Sequence, residues 1–78
     1  MVAIAKYNEV FCKVLGVSED VLPTLVYQSI ESWDSVGHMA LMASLEEMFD
    51  IAFDTDDIID FSSYSKGLEI VKKYGVQF

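Results

Sequence analysis

The sequence predicts a small all-α domain: a four-helix bundle with a long first loop and a short third helix. Three observations lead there. Apolar residues recur at helical spacing in two long segments, capping or breaking residues stand at the segment boundaries, and no stretch alternates far enough to build a sheet. Ile51-Ala52-Phe53 comes nearest to a strand and is too short. At 78 residues and 53% hydrophobic, the chain is read as one domain, residues 1–78, apolar enough to fold and too short for a second core. The single Cys12 excludes an intrachain disulfide, so helix packing must supply the stability.

The elements follow in order. Tyr7, Val10, Phe11, Val14 and Leu15 keep the i, i+3, i+4, i+7, i+8 spacing of one helical stripe, and Gly16 offers a stop. From Val17 to Trp33 the chain carries Pro23 and scattered Ser and Thr without a sustained helical period. This predicts a long connection with room for one short helical turn, and loops of such length are often functional. Asp34 or Ser35 caps the second and clearest helix, whose apolar face reads as Met39, Met42, Leu45 and Phe49, widened by Leu41 and Met48. Asp54 or Thr55 opens a brief third helix through Asp56-Asp57-Ile58-Ile59-Asp60. Ser62 or Ser63 opens the last one, which carries Tyr64, Leu68, Val71 and Tyr74 and ends at Gly75.

Charge narrows the function classes. The net charge is −8, and all five lysines (Lys6, Lys13, Lys66, Lys72, Lys73) lie near the two ends. Between Val14 and Ser65 there is no basic residue, whereas Glu19, Asp20, Glu31, Asp34, Glu46, Glu47, Asp50, Asp54, Asp56, Asp57 and Asp60 all fall in that interval. Such a field repels nucleic-acid phosphate and anionic membrane and favours proteins with Lys and Arg patches. Neither nucleic acid nor membrane is therefore an expected partner, although a merely solvated surface would have the same composition. No stretch approaches the ~18 uncharged apolar residues of a membrane span, and Lys6 interrupts Met1-Val2-Ala3-Ile4-Ala5 before a signal-peptide core could form. A soluble, monomeric chain in the reducing cytoplasm is expected.

The informative motif is Asp34-Ser35 followed by apolar Val36, then Met39, Leu41, Leu45-Glu46-Glu47 and Phe49, with a short acidic helix after Asp54 and Phe61-Ser62-Ser63-Tyr64 before the last helix. In these residues, and in the order and length of its helices, the chain resembles the acyl carrier proteins, in the wider class that includes peptidyl carrier domains. Asp-Ser alone would indicate little more than a helix cap. The resemblance implies that Ser35 is the attachment site of a 4'-phosphopantetheine arm taken from coenzyme A, and that Asp34 belongs to the motif read by a phosphopantetheinyl transferase. It further implies that Val36 and Met39 dock partner enzymes by an apolar contact, ringed by Glu46, Glu47, Asp56 and Asp57, while Met39 could equally be core. The partners would be acyl-loading and acyl-processing enzymes of fatty acid, polyketide or related biosynthesis, presenting basic patches. The chain itself would catalyse nothing.

The residues alone support the chemistry of such a site. A serine at a helix start projects its hydroxyl beyond the helix, and an anion formed there is favoured by free N–H groups and the macrodipole by about 0.3–1 kcal/mol. Gly37 costs roughly 0.5–1 kcal/mol relative to Ala inside a helix and would leave space beside the arm. Family members of primary fatty acid synthesis have Leu and then an acid after the serine, and an acid after the position of Met39. Val36, Gly37 and Ala40 depart from this and point to a specialised carrier with its own partners, acyl or aminoacyl cargo open.

Other readings fare worse. A serine hydrolase would need a G-x-S-x-G elbow with an oriented histidine and acid, and the chain has no such motif. An EF-hand loop starting at Asp54 would need an oxygen ligand at Ile58 and glycine at Ile59, and zinc lacks ligands. The serious rival is an acidic helical adaptor that binds a basic protein and never receives an arm. Trp33 is expected to anchor the loop by burying its ring, and His38 and Cys12 are read as incidental.

Overall fold

Helix α1 (Ala3–Leu15) buries Tyr7, Val10, Phe11 and Leu15 and stops at Gly16, whose N–H still donates to the Cys12 carbonyl and whose φ of 68° turns the chain out of the helix. It belongs to a computed structural model that describes residues 2–78, so Met1 of the N-terminal apolar stretch lies outside the described residues. The long connection contains a 3-10 turn (Glu19–Thr24), then an irregular stretch that leads to α2 (Ser35–Phe49), α3 (Thr55–Asp60) and α4 (Tyr64–Lys73). The predicted all-α bundle of four helices, with its long first loop and short third helix, is the observed architecture, and among the described residues there is no strand. A lone antiparallel bridge joins Val26 to Ser63. The Cα radius of gyration, 11.2 Å, matches the roughly 11.5 Å expected of a single compact domain of this length.

The core is built around aromatic rings. Phe11 meets Tyr7, Trp33, Phe61 and Tyr64, with ring centroids 4.9, 5.6, 6.1 and 5.4 Å away. Each such pair adds ~0.5–1.5 kcal/mol beyond its area burial, which lets a short chain fold without a disulfide.

Two predicted faces shift. On α2 the buried residues are Leu41, Met42 and Leu45, whereas Met39 is 54% exposed. Steps of three residues fall about 60° short of a turn, so Met39, Met42 and Leu45 drift across the helix surface and cannot share one buried line. The same geometry puts His38, three and four residues before Leu41 and Met42, at the centre of the buried stripe. On α4 the core positions are Tyr64, Gly67, Ile70 and Val71, and Leu68 and Tyr74 are half-buried at the edge. Asp54 precedes α3 without a side-chain cap, and its N–H donates to the Tyr74 hydroxyl at 2.9 Å.

Candidate functional site

Four hydrogen bonds and one buried ring hold the segment that enters α2. The Ser32 hydroxyl donates to the Leu15 carbonyl at the end of α1, at 2.7 Å. The Gln28 N–H closes a loop onto the Trp33 carbonyl at 2.9 Å, with Gln28 in the left-handed region at φ 68°. Tyr27 N–H donates to the Ser62 carbonyl and Tyr64 N–H to the Leu25 carbonyl, at 2.8 and 3.1 Å, so the loop is stitched to the start of α4. The Trp33 ring is completely buried, edge-on to Phe11.

Asp34 then caps α2: its Oδ1 accepts the Gly37 N–H at 2.8 Å and its carbonyl accepts the His38 N–H at 2.7 Å. Ser35 follows as the first helical residue, exposed, with the N–H groups of Ser35 and Val36 outside the helix's own ladder. Gly37 has a packing reason. A β-carbon there would overlap the Ser32 carbonyl oxygen, so it is the close approach of the loop backbone, not space for an arm, that requires glycine.

His38 is not incidental. The Trp33 indole Nε1–H donates to His38 Nδ1 at 2.9 Å, and the other ring nitrogen, Nε2, lies 2.8 Å from the Ile58 carbonyl oxygen in α3. A neutral ring with its proton on Nε2 satisfies both contacts. Beside it opens a groove of about 270 Å³ lined by Tyr27, His38, Ile58, Ile59, Phe61 and Ser62. The groove begins one helical turn, about 5 Å, along α2 from Ser35.

Family models, curated proteins and solved structures offer no match to this chain. The site must therefore be judged on its own geometry. Val36 is 77% and Met39 54% exposed, as a docking contact requires, and Ile59, which sequence reasoning did not single out, is 72% exposed on α3. The His38–Ile58 contact brings that helix alongside the first turns of α2. Glu47 and Asp56 are exposed, in keeping with an acidic rim.

Glu46 and Asp57 do not belong to that rim as expected. Glu46 is half-buried and its carboxylate accepts the Phe53 N–H at 2.8 Å, fixing the turn after α2. Asp57 is 7% exposed and accepts from Lys73 Nζ at 2.6 Å and from the Tyr74 hydroxyl, pinning α3 to α4. The adjacent Asp56 and Asp57 looked alike in sequence; Asp57 faces α4, sixteen residues on, and is sequestered by it.

The Asp57 pair makes a pH prediction. Hydrogen bonds from Lys73 and then Tyr74 hold the Asp57 carboxyl below its ordinary value of about 3.9, and Asp57 in turn raises Lys73. In the carboxylate range the unfolded state then binds more protons than the native one. The stabilisation is accordingly complete above the ordinary carboxylate value and lost as pH falls through the lowered one, while the Lys73 contribution fades only as pH rises through its raised, strongly alkaline value. Asp57→Asn should lower Tm most near neutrality, and the difference from the native chain should shrink steadily as acid is added. Thermal unfolding from pH 7 to pH 2 measures this; a constant offset would show that the ion pair does not supply the effect.

Proposed function

We propose that the chain is a carrier protein of the acyl carrier class, with Ser35 as the attachment point of 4'-phosphopantetheine and an acyl or aminoacyl group as its cargo. One observation carries this reading: Ser35 is exposed at the first position of α2, directly after a capping Asp34, on a loop tied to α1, α2 and α4. A tightly held backbone with a free hydroxyl suits a residue that must be presented to one enzyme after another.

The residues present fit such a group. The Ser35 oxygen would form the phosphodiester, displacing the 3',5'-bisphosphate nucleotide of coenzyme A and giving up its proton to the transferase. The N–H groups of Ser35 and Val36 and the positive end of α2 favour the resulting anion by about 0.3–1 kcal/mol. When bound, the arm supplies a terminal thiol that holds the cargo as a thioester. The adjoining groove, with Ile58, Ile59 and Phe61 as its apolar wall, offers a short chain shelter from water. Val36, Met39 and Ile59 form the apolar centre of a docking surface, and Glu47 and Asp56 supply charge for enzymes with basic patches. Phosphopantetheinyl transferase is the first partner this reading requires.

The test is intact mass. Incubation with coenzyme A and a broad-specificity phosphopantetheinyl transferase should convert the native chain to a single heavier species, and Ser35→Ala should gain no mass. Failure of the native chain to gain mass would favour the acidic adaptor, and equal modification of Ser35→Ala would move the site elsewhere.

A further inference from the structure

The groove beside Ser35 has two walls from distant parts of the chain. Tyr27 belongs to the long loop, Ile58 and Ile59 belong to α3, and the His38 ring touches both sides through its two nitrogens. On one side it accepts from Trp33, the residue that anchors the loop carrying Asp34 and Ser35. On the other it reaches the backbone of α3, a helix of only six residues. Its rings pack likewise: His38 lies 6.2 Å from Trp33 in a stacked arrangement, 5.2 Å from Tyr27 and 6.1 Å from Phe61, both edge-on. A helix this short is marginal without tertiary contacts. Its position against α2 therefore depends on the few bonds that reach it, and the one from His38 faces the groove.

We propose that His38 is the positioning residue of this groove: its imidazole couples the loop that delivers Ser35 to the last turn of α3, so that the two walls move as one. The functional consequence rests on the carrier reading, since it concerns a cargo sheltered there; the coupling itself does not. Polar groups at the centre of a buried helix face are costly unless both partners are met, and His38 meets both.

Substitutions can cut the two arms separately. Trp33→Phe keeps a large ring in the core and removes the indole N–H. His38→Gln keeps a donor within reach of the Ile58 carbonyl and loses the acceptor for Trp33, and His38→Ala loses both. Amide exchange is followed at Ile58 and Phe61, whose N–H groups donate to Asp54 and Asp57 within α3, in the unmodified protein. His38→Ala should speed exchange there about fivefold, the equivalent of one hydrogen bond of about 1 kcal/mol, and His38→Gln, which keeps the bond to α3 but not the one to Trp33, should show the same smaller loss of protection as Trp33→Phe. Trp33→Phe, which touches no residue of α3, should also speed it, and the double variant Trp33→Phe/His38→Ala should be no faster than His38→Ala alone. Val10→Ala, a core truncation on α1, serves as the control for global loss of stability. Native exchange in Trp33→Phe, strict additivity in the double variant, or α3 exchange that tracks global stability in all variants would each overturn the coupling.

A second measurement addresses the cargo. The native chain and the variants are loaded with hexanoyl-coenzyme A by the transferase, and hydroxylamine cleavage of the thioester is timed. Cleavage should quicken most in His38→Ala and to a smaller, similar extent in Trp33→Phe and His38→Gln; equal rates in all, the native chain included, would overturn the sheltering role while leaving the coupling decided by exchange. If no variant and no native chain is loaded, it is the carrier reading that fails, and the exchange data still decide the coupling.

Discussion

Trp33→Ala should remove most of the protein's stability. The ring is completely buried, edge-on to Phe11 and Tyr27, and its truncation to alanine costs about 3–5 kcal/mol from lost transfer energy and the cavity left behind. A chain of this length has a total of only about 4–12 kcal/mol to lose. The indole N–H goes too, leaving His38 Nδ1 without its donor. Urea unfolding followed by helical circular dichroism is the appropriate measurement, because Trp33 is the only tryptophan and its emission disappears with it. The midpoint should fall steeply, and a variant that retains all but about 1 kcal/mol would show that the ring is not a core element. On the proposed carrier reading the loss of phosphopantetheine transfer should exceed the folding loss, because the segment leading to Ser35 would keep its backbone bonds, Ser32 and the Asp34 cap but not its buried anchor.

The helices and the cap that places Ser35 at the start of α2 were legible for one reason: local signals decide them. Gly16, Asp34, Ser63 and Gly75 each act on the backbone within a turn or two of themselves, and each does so at or within a residue of the place where its type predicts. The face of a helix is decided differently. Every candidate on α2 from Met39 to Phe49 is apolar, so hydrophobicity could not choose among them, and the outcome depends on which residues face Phe11 and the loop. His38 could have been placed from its spacing to Leu41, Met42 and Leu45, but a polar side chain at the centre of a stripe reads as an interruption until its two partners are known. Trp33 and Ile58 supply those partners, five and twenty residues away.

The same limit explains the acids. Burial of Asp57 depends on Lys73 and Tyr74, which only the fold brings beside it, and Glu46 is taken up by the Phe53 N–H in the turn after α2. Of the four acids expected in the rim, Glu47 and Asp56 remain exposed, as do the apolar side chains Val36, Met39 and Ile59.

Gly67→Ala should destabilise the protein although alanine is the better helix former. Gly67 is buried in α4, and a β-carbon there would overlap both the Phe61 ring and the Tyr7 hydroxyl oxygen. Neither neighbour can withdraw freely. Phe61 is packed among Phe11, Phe53 and His38, and Tyr7 donates to the Tyr64 carbonyl at 2.8 Å from full burial. Burial, and then the adjacent Tyr64, pushes the Tyr7 hydroxyl far above its ordinary range, so it remains a protonated donor throughout the neutral region. Overpacking costs about 1–3 kcal/mol, and a buried hydroxyl forced from its acceptor about 1–3 kcal/mol more. The gain from replacing a helical glycine, about 0.5–1 kcal/mol, is smaller than either. A net loss of about 3 kcal/mol is expected by urea unfolding. The double variant Tyr7→Phe/Gly67→Ala separates the causes: without the hydroxyl, part of the overlap is relieved, and the pair should be less destabilised than the sum of its members by about 1 kcal/mol. Additive losses would assign the exclusion to Phe61 alone, and a Gly67→Ala variant as stable as the native chain would mean that α4 can shift outward at little cost, against the close packing that Tyr7, Phe61 and Val71 otherwise impose.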